Sequence, residues 1–376
     1  MRPSLAICAI FVAGMASPAA AQDKFAGIDS AVKGAIERME LPGAVVLVLY
    51  KNDVVYRKSF GNRATNPEPT LMTEATIFDL ASLTKPIVTA MLIMLFIEEG
   101  KLNVNDAIAK HLPGFRRKET EDITIAQLLT HTGGFIADNP LKDYQAGRDK
   151  AWENLFALKP VSPPGSKFTY SDVGFILLGK IAETAGERPL DELAQKRIFG
   201  PLGMKDTGYR PSAELKNRCA PTQQRGGAWM IGEVHDPRAF ELGGVAGHAG
   251  LFSTADDLAI FAKMLLNEGK HDGKAIMKAE TVKLMTAPRK VPGAKEPGLR
   301  TYGWDMATSY SANRGDVFTR GVSFGHTGFT GTSIWLDPPS QTAVIFLSNR
   351  VHPDGKGNVT KLRGQVATIA GQALVK

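Results

Sequence analysis

The sequence predicts an α/β protein of the α+β kind: an antiparallel sheet flanked by helices, with a helical region inserted between its strands. Three observations carry this expectation. Strand-like runs lie near the N-terminus, in "PGAVVLVLYKNDVVYRKSFGNR" at 42–63. Similar runs return near the C-terminus, in "GTSIWLDP" and "TAVIFLSNR", while helical patterns dominate the middle of the chain. With 376 residues, 43% hydrophobic and 22% charged, the chain can bury a sizeable core.

Taken in order, Met1-Arg2, the apolar run Leu5 to Met15 and the small-residue ending "SPAAAQ" describe an export signal covering 1–21. Residues 25–39 place Phe25, Ile28, Val32 and Ile36 at helical spacing. The two β-rich runs that follow are separated by Lys51-Asn52-Asp53, which reads as a hairpin. Segment 82–99, "SLTKPIVTAMLIMLFIEE", is so apolar that it must be buried on most sides. Because proline fits only the first turn, Pro86 places the start of this helix close to Ser82. Shorter helical patterns follow in "TIAQLLTHTGG", "AWENLFAL" and "DVGFILLGKIAETAG". The stretch 254–269, "TADDLAIFAKMLLNEG", is amphipathic, with Ser253 or Thr254 as its cap and Asp256 and Asp257 in its first turn. Strands resume in "YGWDMA", and a final helix covers 362–375. The expected organisation is a signal at 1–21 and a domain at 22–376. Its sheet lobe takes about 22–80 and 290–376, and its helical region about 81–289.

Composition removes several function classes. Basic residues are scattered rather than interleaved with aromatics, so nucleic acid is not an expected partner, and a formal charge of +7 fits mild attraction to an anionic envelope. Cys8 lies in the signal, which leaves Cys219 alone and excludes both an internal disulfide and a thiolate metal cluster. After the signal no run reaches 18 uncharged apolar residues, so no transmembrane segment is expected in the mature chain, which should be periplasmic or secreted. Nothing in the sequence sets the oligomeric state.

Three motifs carry chemistry. In "ASLTK", an offset of three on a helix brings the Lys85 amine to the Ser82 hydroxyl, where a lysine can serve as base for a serine nucleophile. The bland alternative is a helix cap and a surface lysine, but a surface lysine does not suit the start of an apolar helix. In "FTYSDVG", Tyr170 can relay a proton and Asp172 can pair with Lys85, although Ser171 or Asp172 could equally be an ordinary N-cap. In "FGHTGFTGT" at 324–332, Gly328 allows close approach of a substrate to the strand after His326-Thr327, and the Phe329 N–H is an available oxyanion donor. Viewed alone this third stretch could be a glycine-rich hairpin.

In this order, the motifs resemble those of the penicillin-recognising serine hydrolases. That superfamily includes class C β-lactamases, D-alanyl-D-alanine carboxypeptidases and β-lactamase-like esterases, and the resemblance spans roughly residues 25–375. It implies a β-lactamase-like fold, Ser82 as the acylated nucleophile and Lys85 as its proton acceptor. It also implies proton transfer through Tyr170, and an oxyanion hole made by the N–H groups of Ser82 and Phe329. His326, Thr327 and Gly328 fall at the Lys/His-Thr-Gly strand motif, with His326 directed at Tyr170 and a substrate carboxylate. Two departures matter. Asp172 stands where the family usually has asparagine, and this anion could hold Lys85 as a cation, shifting the base role to Tyr170. His326 in place of lysine lacks a fixed positive charge, which ranks peptidase, amidase or esterase activity above β-lactamase activity.

The stretch 232–265 resembles envelope-associated members of the superfamily that act on cell-wall peptides. His235, Asp236 and His248 are metal-ligating residue types, but "GGVAGHAG" reads as a packed loop and serine catalysis needs no metal. His248 is therefore expected to orient this loop or touch substrate, with no metal and no cofactor. The resulting expectation is an exported hydrolase of D-alanyl peptides or muropeptides working through a Ser82 acyl-enzyme. The alternatives are a carboxylesterase, a β-lactamase and a non-catalytic muropeptide-binding envelope protein.

Overall fold

The computed structural model describes residues 24–294 and 298–375. The expected export signal, with Cys8, lies outside the described residues. The main sheet contains β1 (Gly43–Tyr50), β2 (Asp53–Ala64), β3 (Thr70–Leu71), β4 (Arg289–Lys290), β5 (Leu299–Arg300), β6 (Asp305–Ala307), β7 (Phe324–Thr327), β8 (Ser333–Asp337) and β9 (Thr342–Ser348). They pair in the order β4-β5-β6-β7-β8-β9-β1-β2-β3, antiparallel throughout, so the two ends of the chain meet where β9 joins β1. The β1–β2 turn is a two-residue one: Lys51 and Asn52 both take positive φ, of 50° and 72°, which matches the right-handed twist of the strands they join.

The central strands are buried on both faces, and their alternation sorts them into two cores. Val45, Leu47 and Leu49 of β1 face the helical region, whereas Val46 and Val48 face the terminal helices α1 (Ala26–Glu37) and α7 (Thr360–Leu374). On the helical side lie α2 (Met91–Glu98), α3 (Ile125–Leu129), α4 (Asp172–Gly186), α5 (Pro237–Glu241) and α6 (Ala255–Leu266). Thr124 caps α3 with a reciprocal Gln127 bond, Ser171 caps α4, and Thr254 caps α6. A second, three-stranded sheet pairs Leu251–Ser253 with Phe78–Asp79 and Gly208–Tyr209, and ties the loop before α6 to the segment leading into α2.

The apolar segment expected to start near Ser82 is not a uniform helix. It opens with a 3₁₀ turn at Ala81–Leu83, widens to a π-type turn at Lys85–Ala90 and only then becomes α2. Pro86 in the first turn has no N–H to give, which suits this irregular start. Residues 81–98 are long and apolar enough to cross a membrane, yet most of this stretch is buried in the protein core. Cys219 is buried beside Ile77 and Phe252, and burial pushes its thiol up to about 12.

Candidate active site

The three motifs meet in one cleft of about 520 Å³, whose lining includes Ser82, Tyr170, His326, Thr327, Gly328 and Phe329. Ser82 enters on a strained backbone: Ala81 has φ +47°, and its N–H is held by the Asp79 carboxylate at 2.8 Å. Asp79 also accepts the His235 N–H at 2.7 Å, and burial raises its pKa to about 6 despite these two bonds. One buried carboxylate thus fixes both the turn before the serine and the loop before α5.

Lys85 is fully buried, and its three N–H groups have three acceptors. Its Nζ donates to Ser82 Oγ at 2.9 Å and to the His248 carbonyl at 3.1 Å, and it pairs with Asp172 Oδ1 at 2.7 Å. Two oxygen acceptors and a carboxylate at ion-pair distance favour the charged form of this amine. Burial opposes this charge, but Asp172 and Tyr170 outweigh burial and hold the Lys85 pKa above its ordinary value. Asp172 thus lies where a carboxylate can steady Lys85 as a cation.

Tyr170 is half-buried against the same group, with Lys85 Nζ 5.0 Å from its ring centroid, and its phenol interacts with both Ser82 and Lys85. Burial raises the Tyr170 pKa, with Lys85 pulling the other way. His326 lies 6.0 Å from Tyr170 between ring centroids. Its Nδ1 donates to the Thr327 carbonyl at 2.9 Å, and burial, then Arg300 and Lys85, press its pKa well below the ordinary value, so the ring is neutral.

Around the turn after β7 the carbonyls are taken. Arg363 donates to the carbonyls of Gly328 and Thr332 at 2.8 Å each, and Arg350 Nε donates to that of Phe329 at 2.8 Å. Among the described residues, the N–H groups of Ser82 and Phe329 have no hydrogen-bond acceptor. Two free donors at one cleft are what an oxyanion hole requires. Gly328 serves the packing more than the expectation allowed: a Cβ there would fall 2.3 Å from the Leu80 carbonyl oxygen, so glycine lets the turn lie against the serine's own segment.

Of the two roles expected of His248, the geometry fits orienting the loop and not touching substrate: its ring is fully buried and bonded through Nε2 to Asp236 at 2.9 Å, and only its backbone carbonyl reaches the site, through Lys85. Burial works against the Asp236 charge, but His248 outweighs it and holds that carboxyl well below the usual range. Asp172, Asp236 and His248 do converge, with potential ligand atoms within 4.8 Å of one another. However, the Lys85 ammonium already occupies the cation position beside Asp172. His235 stacks on Phe329 at 5.6 Å and bonds Gln223 at 2.7 Å.

Several site residues were missed from sequence. His131 stacks on one face of Tyr170 at 4.3 Å and Tyr310 on the other at 4.9 Å, while the buried Arg300 guanidinium lies 5.9 Å from the same ring. The signal available for His131 was its place before two glycines in "THTGG"; Arg300 and Tyr310 carried none.

A serine whose hydroxyl is held by a buried lysine, beside a tyrosine, on this fold, defines an enzyme of the serine-hydrolase type within the penicillin-recognising superfamily. The family model described as Beta-lactamase matches residues 28–367, and the chain belongs to that family. It is 32% identical over 346 residues to a protein of Escherichia coli K12 named putative D-alanyl-D-alanine carboxypeptidase, covering 83% of this chain and 79% of that one. A Bacillus subtilis protein named N-acetylmuramyl-L-alanine amidase is 30% identical over 351 residues, covering 83% and 78%. Among solved structures, a class C β-lactamase superposes with a TM-score of 0.77 at 19% identity, covering 95% of this chain and 98% of that one, a likeness of fold alone.

Proposed function

We propose that the protein is an exported serine hydrolase that forms an acyl-enzyme on Ser82 and acts on D-alanyl peptides or muropeptides of the cell wall. The observation that carries this reading is the threefold-held Lys85 ammonium, with Ser82 Oγ as one of its three acceptors. The substrate class draws on the names of the Escherichia coli and Bacillus subtilis relatives and on the cleft lining, which among the described residues includes Arg350, Lys356 and Arg363 with Asp305 as its one acid. Such a lining suits a peptide that ends in a carboxylate.

In the proposed cycle Lys85 must first lose a proton, and Asp172 Oδ1 at 2.7 Å is placed to receive it as substrate displaces water. The resulting amine takes the Ser82 proton while Oγ bonds to the substrate carbonyl carbon, and the developing oxyanion is met by the Ser82 and Phe329 N–H groups. The C–N bond then breaks. Tyr170 gives its phenolic proton to the leaving amine and regains one from Lys85. Water enters and reverses the sequence to release the acid. No cofactor is called for in this scheme.

A second reading, a carboxylesterase, is favoured by the exposed rings of Phe329 and Tyr310 at the cleft, which suit an acyl chain, and by the neutral His326. One panel separates the two: turnover of a D-alanyl-D-alanine peptide, a purified muropeptide, a short acyl ester and a penicillin. The proposal expects release from a peptide or muropeptide to exceed ester cleavage in kcat/KM. Efficient ester cleavage with no turnover of either wall substrate would reject it in favour of the esterase.

A further inference from the structure

The contacts around Tyr170 converge on one residue outside the three motifs. We propose that His131 is the positioning residue of Tyr170, a three-point clamp that fixes the phenol against Ser82 and Lys85. This inference rests on the reading of Ser82 as nucleophile and Tyr170 as its proton relay.

Three contacts build the clamp. The His131 carbonyl accepts the Thr169 N–H at 2.9 Å, and its ring Nδ1 accepts the Ser171 N–H at 3.0 Å, so a single residue holds the backbone on both sides of Tyr170. Between those two bonds the imidazole lies on the tyrosine ring, 4.3 Å away at 29°. The backbone that offers both carbonyl and side chain to this segment is an unusual one. His131 has φ +57°, a conformation that non-glycine residues adopt rarely and at a cost, and this strain is buried behind Tyr170 rather than in a surface turn.

The same bonds fix the ring's chemistry. Because Nδ1 accepts the Ser171 N–H, the proton of the neutral ring is on Nε2. Protonating Nδ1 would break that bond and place a cation near Lys85, Arg300 and His326, the charged and titratable groups around the ring. Tyr310, stacked on the opposite face of Tyr170 and 43% exposed, closes the sandwich from the solvent side. His131 itself is 2% exposed and does not line the cleft, so it acts through Tyr170 and does not meet substrate.

Two substitutions separate the contacts. His131→Phe keeps a stacking ring but leaves the Ser171 N–H without an acceptor. His131→Asn keeps an acceptor and tolerates positive φ, but removes the ring. Each is measured for kcat and KM on the best substrate of the panel, alone and combined with Tyr170→Phe. The expected result for His131→Phe is a kcat lower by about 10²-fold with KM within about threefold of the parent, since a small misplacement of a reacting group has costs of that order. His131→Asn should fall by about tenfold. In the Tyr170→Phe background both should add less than about threefold, because the clamp has nothing left to position. The clamp is overturned if either folded single variant turns over within about threefold of the parent, or if its loss multiplies with that of Tyr170→Phe. Should His131→Phe not fold, the His131→Asn pair decides by the same two criteria. Labelling of the parent at Ser82 by a fluorophosphonate keeps the inferences apart. A parent that turns substrate over without a Ser82 adduct removes the proposed function, whereas a labelled parent with unaffected His131 variants removes the clamp alone.

Discussion

The two faces of the central sheet are built from the same strands and do different work. Toward α1 and α7, Val46, Val48, Trp335, Val344 and Phe346 pack with Phe25, Ile28, Val366 and Ala370. A few polar bonds join these apolar contacts: the Tyr56 hydroxyl donates to Asp29 at 2.6 Å, Lys58 pairs with the same carboxylate, and Arg363 of α7 donates to the Gly328 and Thr332 carbonyls. Toward the helical region the sheet also has an apolar floor, of Val45, Leu47, Ile334 and Ile345, but above it the protein buries Lys85, His131, His248, Arg300 and His326. Polar groups taken out of water need partners. That need accounts for the many side-chain bonds to backbone on this side, such as Thr89 to the Gly247 carbonyl at 2.6 Å and Thr330 to the Asp79 carbonyl at 2.6 Å. The difference teaches that one face supplies stability and the other spends part of it to hold reactive groups in place.

Substitutions on the two faces should therefore separate chemistry from stability. The largest effect belongs to Ser82→Ala, expected to lower kcat/KM on the preferred substrate by at least about 10³-fold while leaving the melting temperature within a few degrees. Loss of turnover with simultaneous unfolding would blur the two faces. Phe346→Ala, on the opposite side, should cost about 3–5 kcal/mol in urea unfolding, roughly 10²–10⁴ in the folding equilibrium, with turnover per folded molecule unchanged. Tyr170→Phe comes next, with kcat lower by about 10²-fold and little change in stability, read from steady-state kinetics and a thermal melt.

Asp172→Asn tests the charge state of Lys85. With the carboxylate present the lysine pKa is raised, so the ascending limb of the pH–rate profile sits high. Without it burial is opposed by Tyr170 only, and the limb moves to lower pH, by about one unit or more. The same shift has a sign in stability. A raised lysine pKa stabilises the fold fully below the unfolded value of about 10.4, and that contribution is lost as pH climbs through the folded value. Asp172→Asn should flatten this alkaline decline in a pH series of melts. The smallest effect is expected at Arg57, whose pairs with Glu74 and Asp256 are both well exposed; Arg57→Ala should cost less than about 1 kcal/mol.

What could be read from the sequence divides along similar lines. The Ser82–Lys85 contact is local, three residues apart at the start of a helical segment, so spacing alone brings the two groups together. The Lys51–Asn52 hairpin, the Thr254 cap and the return of strands near the C-terminus are likewise written in local patterns. The hold of His248 on Lys85 was not legible, because a backbone carbonyl has no residue type to announce it. Which of its two expected roles the ring takes was not legible either, because nothing local says that Asp236, twelve residues earlier, would claim it. Gly247 shows the same blindness: a Cβ there would meet the Phe175 carbonyl oxygen at 2.1 Å, a contact across 72 positions that makes this loop lie flat against α4. His131 escaped notice because its left-handed backbone and its reach to 169–171 are products of the fold.

The measurement that bears most directly on the central claim is intact-mass analysis with peptide mapping after exposure to a fluorophosphonate or a penicillin. A single adduct on the peptide carrying Ser82, absent from Ser82→Ala, is the result this account predicts. Turnover without any adduct, or an adduct on another residue that survives in Ser82→Ala, would contradict it.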